Sequence, residues 1–176
     1  MKSIVRTAAI ALAACAALAA APSFAALKVG DKAPDFKLQA ATNGQVSTFS
    51  LAQALKSGPV VVYFYPKAFT SGCSLEAHEF SEAIPKFQAR HVTVIGVSAD
   101  DIGTLQKFSE QTCQGKFPVA ADAGAKVAKA YDAQMGGMAM ANRISYIVGQ
   151  NGKIAFVHDD MNAATHVSSL LAAIGK

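Results

Sequence analysis

Residues 60–65 form an unbroken apolar run of β-branched and aromatic side chains, the pattern of a strand buried on both faces. Pro66 ends it, because proline has no N–H to give a sheet ladder. From Ser71 the spacing turns helical. Cys73, Ala77, Phe80, Ile84 and Phe87 follow steps of four, three, four and three and line one face. Thr70 or Ser71 can cap this helix, and Glu76 falls where a capping-box or dipole partner belongs. Pro85 predicts a kink or an end near Ile84. Upstream, Asn43-Gly44 between apolar stretches at 36–38 and 46–49 predicts a hairpin, and Ser50 caps a short helix over 51–55. Downstream, the pattern gives a strand at 92–97, a helix from Ile102 to about Thr112, a strand at 117–120 and a helix at 124–131. A glycine-bearing loop over 133–142 precedes strands 143–148 and 153–157, which are joined by a turn, and a helix over 163–174 closes the chain. Strands alternating with helices, then an antiparallel hairpin, predict an α/β fold with a mixed central β-sheet flanked by helices.

The first 25 residues read as an address. Lys2 and Arg6 make a basic start, residues 7–21 a small apolar run, and Pro22-Ser23-Phe24-Ala25 a cleavage site after Ala25, so residues 1–25 are expected to be a signal peptide. A competing lipoprotein box, Leu12-Ala13-Ala14-Cys15, follows a shorter apolar run and is the minor alternative. Either way the expectation is export, to a periplasmic location, without stable membrane insertion. Without that leader, Lys+Arg falls from 16 to 14 against 12 acidic residues, a net +2, and no basic run suggests nucleic acid. Residues 26–176 suit one domain with a full core. Two cysteines remain in it, Cys73 and Cys113, in no zinc-like spacing, which leaves one disulfide or a redox couple in an oxidising compartment.

The predicted elements put Cys73 in the first turn of a helix, at the carboxyl end of a buried strand, where α/β sites form. A free cysteine is commonly a small core hydrophobe. The unpaired N–H groups of a first helical turn, however, stabilise a thiolate, which favours a reactive thiol here.

Pro66, Thr70 and Cys73 form P-x-x-x-T-x-x-C, which resembles the signature of the peroxiredoxins. Glu76, the lead-in V-G-D-K-A-P-D-F and the N-R-I-S-Y-I-V around Arg143 are similar to the bacterioferritin-comigratory, or PrxQ, branch, and the likeness spans nearly all of the chain after the leader. The resemblance implies a thioredoxin-like fold and thiol-dependent reduction of hydrogen peroxide and organic hydroperoxides, with no metal or organic cofactor. It implies Cys73 as the peroxidatic nucleophile, with Arg143, Thr70 and Pro66 around it. Two positions depart from the branch: Ser71 stands where proline is usual, and His78 where many members carry a resolving cysteine.

The chemistry asks for the same groups. Splitting an O–O bond needs a thiolate and charge stabilisation on the departing oxygen. Arg143, permanently charged, can hold both, although alone it reads equally well as a strand-edge cation. Thr70 offers a hydroxyl that donates and accepts, or simply a cap. Pro66 shapes and shields the loop. Glu76 reads as structural, tying the first turn or ordering Arg143. Cys113, at the end of the 102–112 helix, is the thiol left to resolve a Cys73 sulfenic acid; otherwise it is a core cysteine and an external thiol regenerates the enzyme. The expected partners are a peroxide and a thioredoxin-like or other thiol reductant, the chain being a monomer or weak dimer.

Rival classes fare less well. A disulfide reductase needs C-x-x-C, but Ser74-Leu75-Glu76 follows Cys73; a copper chaperone needs a second cysteine where Ala77 stands. Met135, Met138 and Met140 read as apolar cover before a Cu(I) site, and His158-Asp159-Asp160 as a solvated turn before a metal cluster.

Overall fold

The computed structural model describes residues 26–175, so the leader reading, Cys15 included, lies outside the described residues. Its first elements are the hairpin β1 (Lys37–Thr42) and β2 (Gln45–Ser50) and the short helix α1 (Leu51–Ala54). Asn43 and Gly44 at the hairpin tip both have positive φ, 48° and 72°, as a two-residue turn matched to strand twist requires. Then come β3 (Val60–Phe64), α2 (Ser71–Gln88), β4 (Thr93–Ser98), α3 (Ile102–Gln111), β5 (Val119–Ala121) and α4 (Lys126–Ala130). The chain ends with β6 (Ile144–Val148), β7 (Ile154–Asp159), a single 3-10 turn (Ala163–Thr165) and α5 (His166–Ile174).

The strands form one seven-stranded sheet in the order β2-β1-β5-β4-β3-β6-β7. β3, β4 and β5 run parallel, while β1 and β6 join them antiparallel and carry the two hairpins. The expected mixed sheet is therefore present. β3 lies inside it, and every β3 residue is buried, which is why its sequence does not alternate. Its side chains still do. Val61 and Tyr63 pack with Phe80, Phe87, Phe108 and Leu170 on the face covered by α2, α3 and α5. Val60, Val62 and Phe64 pack with Leu51, Tyr131 and Tyr146 on the other.

Pro85 does not end α2 near Ile84, one of the two outcomes expected of it: the helix continues to Gln88 and closes with Ala89 N–H donating to the Pro85 carbonyl at 3.0 Å. Ile84 and Phe87 flank the proline and are both buried, Phe87 completely. Burying such side chains stabilises by about 1.5–3 kcal/mol each, enough to offset the ~3 kcal/mol a mid-helix proline costs. Two other edges move as well. α4 starts at Lys126, because both Asp122 carboxylate oxygens accept from its first turn, from Val127 N at 3.0 Å and Ala128 N at 2.9 Å. His158 lies within β7 rather than in a solvated turn, and its Nε2 bonds the Thr165 hydroxyl at 2.8 Å.

Candidate active site

β3 and β6 determine what meets at the site. Their antiparallel register sets Phe64 opposite Ile144, so Arg143, one step before Ile144, arrives where β3 gives way to the loop leading into α2. Cys73 lies in the first turn of that helix, almost wholly buried, and Arg143 Nη2 stands 3.4 Å from its Sγ. Residue 72 is glycine, and a Cβ there would press on the guanidinium, at 3.2 Å from Nη2. Two residues 70 positions apart in the sequence are thus in contact.

Glu76 is turned inward. Its carboxyl group is fully buried and its Oε2 accepts from Arg143 Nη1. It is therefore not a capping-box partner; of its two structural readings, the ordering of Arg143 is realised. Burial pushes its pKa up to about 8, against the opposite pull of the Arg143 charge and hydrogen bond. Behind it stands His166, also fully buried, with Nδ1 3.6 Å from Glu76 Oε1 and 2.7 Å from the Ser145 hydroxyl. His166 Nε2 lies 2.7 Å from the Asp160 carbonyl. Neither His166 nor Ser145 was singled out from the sequence. A histidine opening a helix carries no motif, and Ser145, although within the N-R-I-S-Y-I-V stretch, has no partner legible along the chain; only the packing of α5 over α2 and β6 joins them.

The loop between β3 and α2 is held from the β4 side. Asp100 Oδ2 accepts from Ala68 N and from the Ser98 hydroxyl, each at 2.8 Å. Pro66 is half-buried at the loop's start, where its fixed φ turns the chain off the sheet. Thr70 is the N-cap residue of α2, but its side chain makes no cap bond and its hydroxyl donates instead to the Lys67 carbonyl at 3.0 Å. The first-turn N–H groups are therefore left without a side-chain cap, and the Thr70 oxygen, which is exposed, keeps its lone pairs. Phe69, just before it, holds a φ of 63°, a conformation that costs a non-glycine residue energy and clusters at functional sites.

Cys113 is a free thiol, completely buried one residue past the end of the α3 cap, and burial pushes its pKa well up. The Ser81 hydroxyl donates toward its carbonyl at 2.8 Å and toward the Ala77 carbonyl at 2.9 Å. Ser81 lies more than two turns beyond Cys73 along α2, roughly 12 Å at about 1.5 Å per residue. Cys113 is thus anchored toward the middle of the helix, while Cys73 is at its start. Met138 is exposed, and among the described residues no group of three or more His, Cys, Asp or Glu side chains is placed to hold a metal.

Residues 29–157 match the AhpC/TSA family. A Helicobacter pylori protein named as a peroxiredoxin of the bcp type is 32% identical over 154 residues, covering 84% of this chain and 98% of its own. The chloroplastic peroxiredoxin Q of Oryza sativa subsp. japonica is 32% identical over 133 residues, 74% of this chain and 58% of that one. Among solved structures, peroxidoxin BcpB from Mycobacterium tuberculosis superposes with a TM-score of 0.76 at 27% identity, covering 85% of this chain and 97% of that one. Together with the thioredoxin-like sheet and the thiol at the end of β3, these likenesses show that the chain belongs to the AhpC/TSA family of peroxiredoxins, on its bcp/peroxiredoxin Q branch.

Proposed function

We propose that Cys73 is the peroxidatic nucleophile of a thiol peroxidase acting on hydrogen peroxide and small organic hydroperoxides. The observation that carries this is the Arg143 guanidinium 3.4 Å from a thiol in an uncapped first helical turn. The Arg143 charge stands against the sulfur that attacks, and the helix N-terminus adds positive partial charge at the same end. The thiolate attacks one peroxide oxygen. An S–O bond forms as the O–O bond breaks, and the second oxygen leaves with the bonding pair, as hydroxide or alkoxide. Arg143 stabilises that charge until a proton neutralises it. The Thr70 hydroxyl orients the incoming peroxide, and Pro66 keeps the loop closed over the sulfur.

The product is a Cys73 sulfenic acid. Cys113 resolves it, its thiol displacing the hydroxyl as water to give a Cys73–Cys113 disulfide, which a thioredoxin-like or other dithiol then reduces by exchange. The leader at 1–25 supports a periplasmic place of action. Expression of the full chain with fractionation and N-terminal sequencing should give an exported protein beginning at Ala26.

The test is Cys73→Ser in the mature protein. The substitution is nearly isosteric, so folding should be intact and peroxide consumption abolished, measured by a stopped-flow or ferrous-oxidation assay. Appreciable turnover in that variant would remove Cys73 from the role.

A further inference from the structure

The buried group behind Arg143 has a proton arrangement that the geometry fixes. Asp160 offers His166 a carbonyl oxygen, which can only accept, so Nε2 carries the proton. Nδ1 is then bare in the neutral ring and accepts from the Ser145 hydroxyl at 2.7 Å. That bare nitrogen also faces Glu76 Oε1 at 3.6 Å, and Oε1 is a buried oxygen with no hydrogen-bond partner. The 3.6 Å separation is too long for a hydrogen bond, and the bare nitrogen offers Oε1 no proton. Glu76 is left with one productive outlet, the Oε2 contact to Arg143.

We infer that His166, fixed by Ser145 and the Asp160 carbonyl, is a positioning residue of the peroxide site: kept neutral and bare at Nδ1, it commits the Glu76 carboxyl group to Arg143 and so holds the guanidinium on the Cys73 sulfur. The inference rests on Cys73 being the nucleophile. Were the ring doubly protonated, Nδ1–H would compete with Arg143 for the same carboxylate and loosen the clamp. The surroundings oppose that second proton. Burial lowers the His166 pKa to about 4 although the Asp160 backbone bond acts the other way. The groups facing the ring are Glu76 from α2, Arg143 beside β6, His158 from β7 at a ring-centroid distance of 4.6 Å, and Asp160 beyond β7. Glu79 acts on Glu76 from the same helix.

The experiment uses the mature protein with 15N-labelled histidine and arginine. The His166 ring should show the neutral Nε2–H tautomer between pH 6 and 8, and Arg143 should show separate Nη signals from a guanidinium that rotates slowly. His166→Phe and Ser145→Ala should average the Arg143 signals and slow single-turnover peroxide reduction by roughly tenfold or more, since a misplacement of about 1 Å in such a site costs up to ~10²-fold. His166→Gln, whose amide can donate toward Asp160 and accept from Ser145, should restore both. Ser145→Ala removes one oxygen and adds no bulk, so it decides the matter if His166→Phe fails to fold. An Nδ1–H tautomer, or folded variants with unchanged Arg143 signals and unchanged rate, would overturn the inference. The two NMR readouts need no turnover, so they stand apart from a failure of the Cys73 assignment.

Discussion

Glu76 is a fully buried carboxyl group, and its two oxygens fare differently: one is paired with Arg143, the other has no partner. Removing Arg143 therefore does two separable things. Arg143→Met should lower the peroxide rate by about 10²–10³, the typical effect of losing one donor on a departing oxygen. It should also destabilise the fold by about 1–3 kcal/mol, because the buried Glu76 carboxyl group loses its partner and has to hold a proton unpaired. Adding Glu76→Gln to Arg143→Met should recover much of the stability in urea unfolding but none of the rate, and joint recovery would place Arg143 outside the chemistry. His166 adds a pH dependence of known sign. Its folded-state pKa is lowered to about 4 from the usual 6.5 of a histidine, chiefly by burial. Above 6.5 both states hold it neutral, and its contribution is fully present. As pH falls from 6.5 toward 4 the unfolded chain takes up a proton that the folded one refuses, so stability is lost, by about 3 kcal/mol over the whole window. His166→Gln should flatten that part of a stability-versus-pH curve.

At the scale of elements, β3 and α2 were legible because each obeys a single rule: β3 is apolar without interruption, and α2 carries one stripe. The hairpin tips were legible from Asn43-Gly44 and from residues 149–152, whose turn residues have few other uses. The helix end expected at Pro85 does not occur, because the proline's cost is local, whereas the compensation from Phe87 and Ile84 comes from distant parts of the chain. The site divides the same way. Cys73 followed from local pattern, but Arg143 was tied to it only by family resemblance, since nothing along the chain announces that β6 pairs with β3. Asp100, Gly72, Ser145 and His166 escaped notice because each acts across elements. The Pro85 account has a direct check. Pro85→Ala restores an N–H to the helix interior while leaving Phe87 in place, so the melting temperature should rise, by roughly 2–4 °C per kcal/mol gained in a domain of this size. A fall would mean that the proline has a partner role of its own in the last turn of α2.

The whole molecule presents one unresolved tension, the separation of its two thiols. A relaxed disulfide needs Cα atoms within about 7 Å, yet Cys113 is anchored near Ser81, roughly 12 Å along α2 from Cys73. The segment that carries Cys113 is fastened at several points: Ser81 to its carbonyl, His78 Nδ1 to Gln114 Nε2 at 3.2 Å, Glu82 to Lys116 at 3.0 Å, and Gly115 N to the Ser109 carbonyl at 2.8 Å. The first three attach to α2 itself, so the helix that presents Cys73 also holds Cys113 away. Burial raises the Cys113 pKa, which makes the closed form a poor attacking thiol as well as a distant one. The proposed resolution by Cys113 therefore requires this segment, the first turns of α2, or both to open, and the bonds just named are what opening must break. The expected result on peroxide treatment is a Cys73–Cys113 disulfide in non-reducing peptide maps, with faster hydrogen exchange over 111–115 than in the reduced protein. Cys113→Ser should still consume one equivalent of peroxide but accumulate sulfenic and then sulfinic acid at Cys73, with dithiol-driven turnover falling and a small monothiol restoring part of it. Ser81→Ala, which removes one fastening, should speed disulfide closure without changing the first reaction with peroxide. Oxidised wild type with free Cys113 and a lasting Cys73 sulfenate would instead mean that the fastenings hold throughout the cycle and that an external thiol does the resolving.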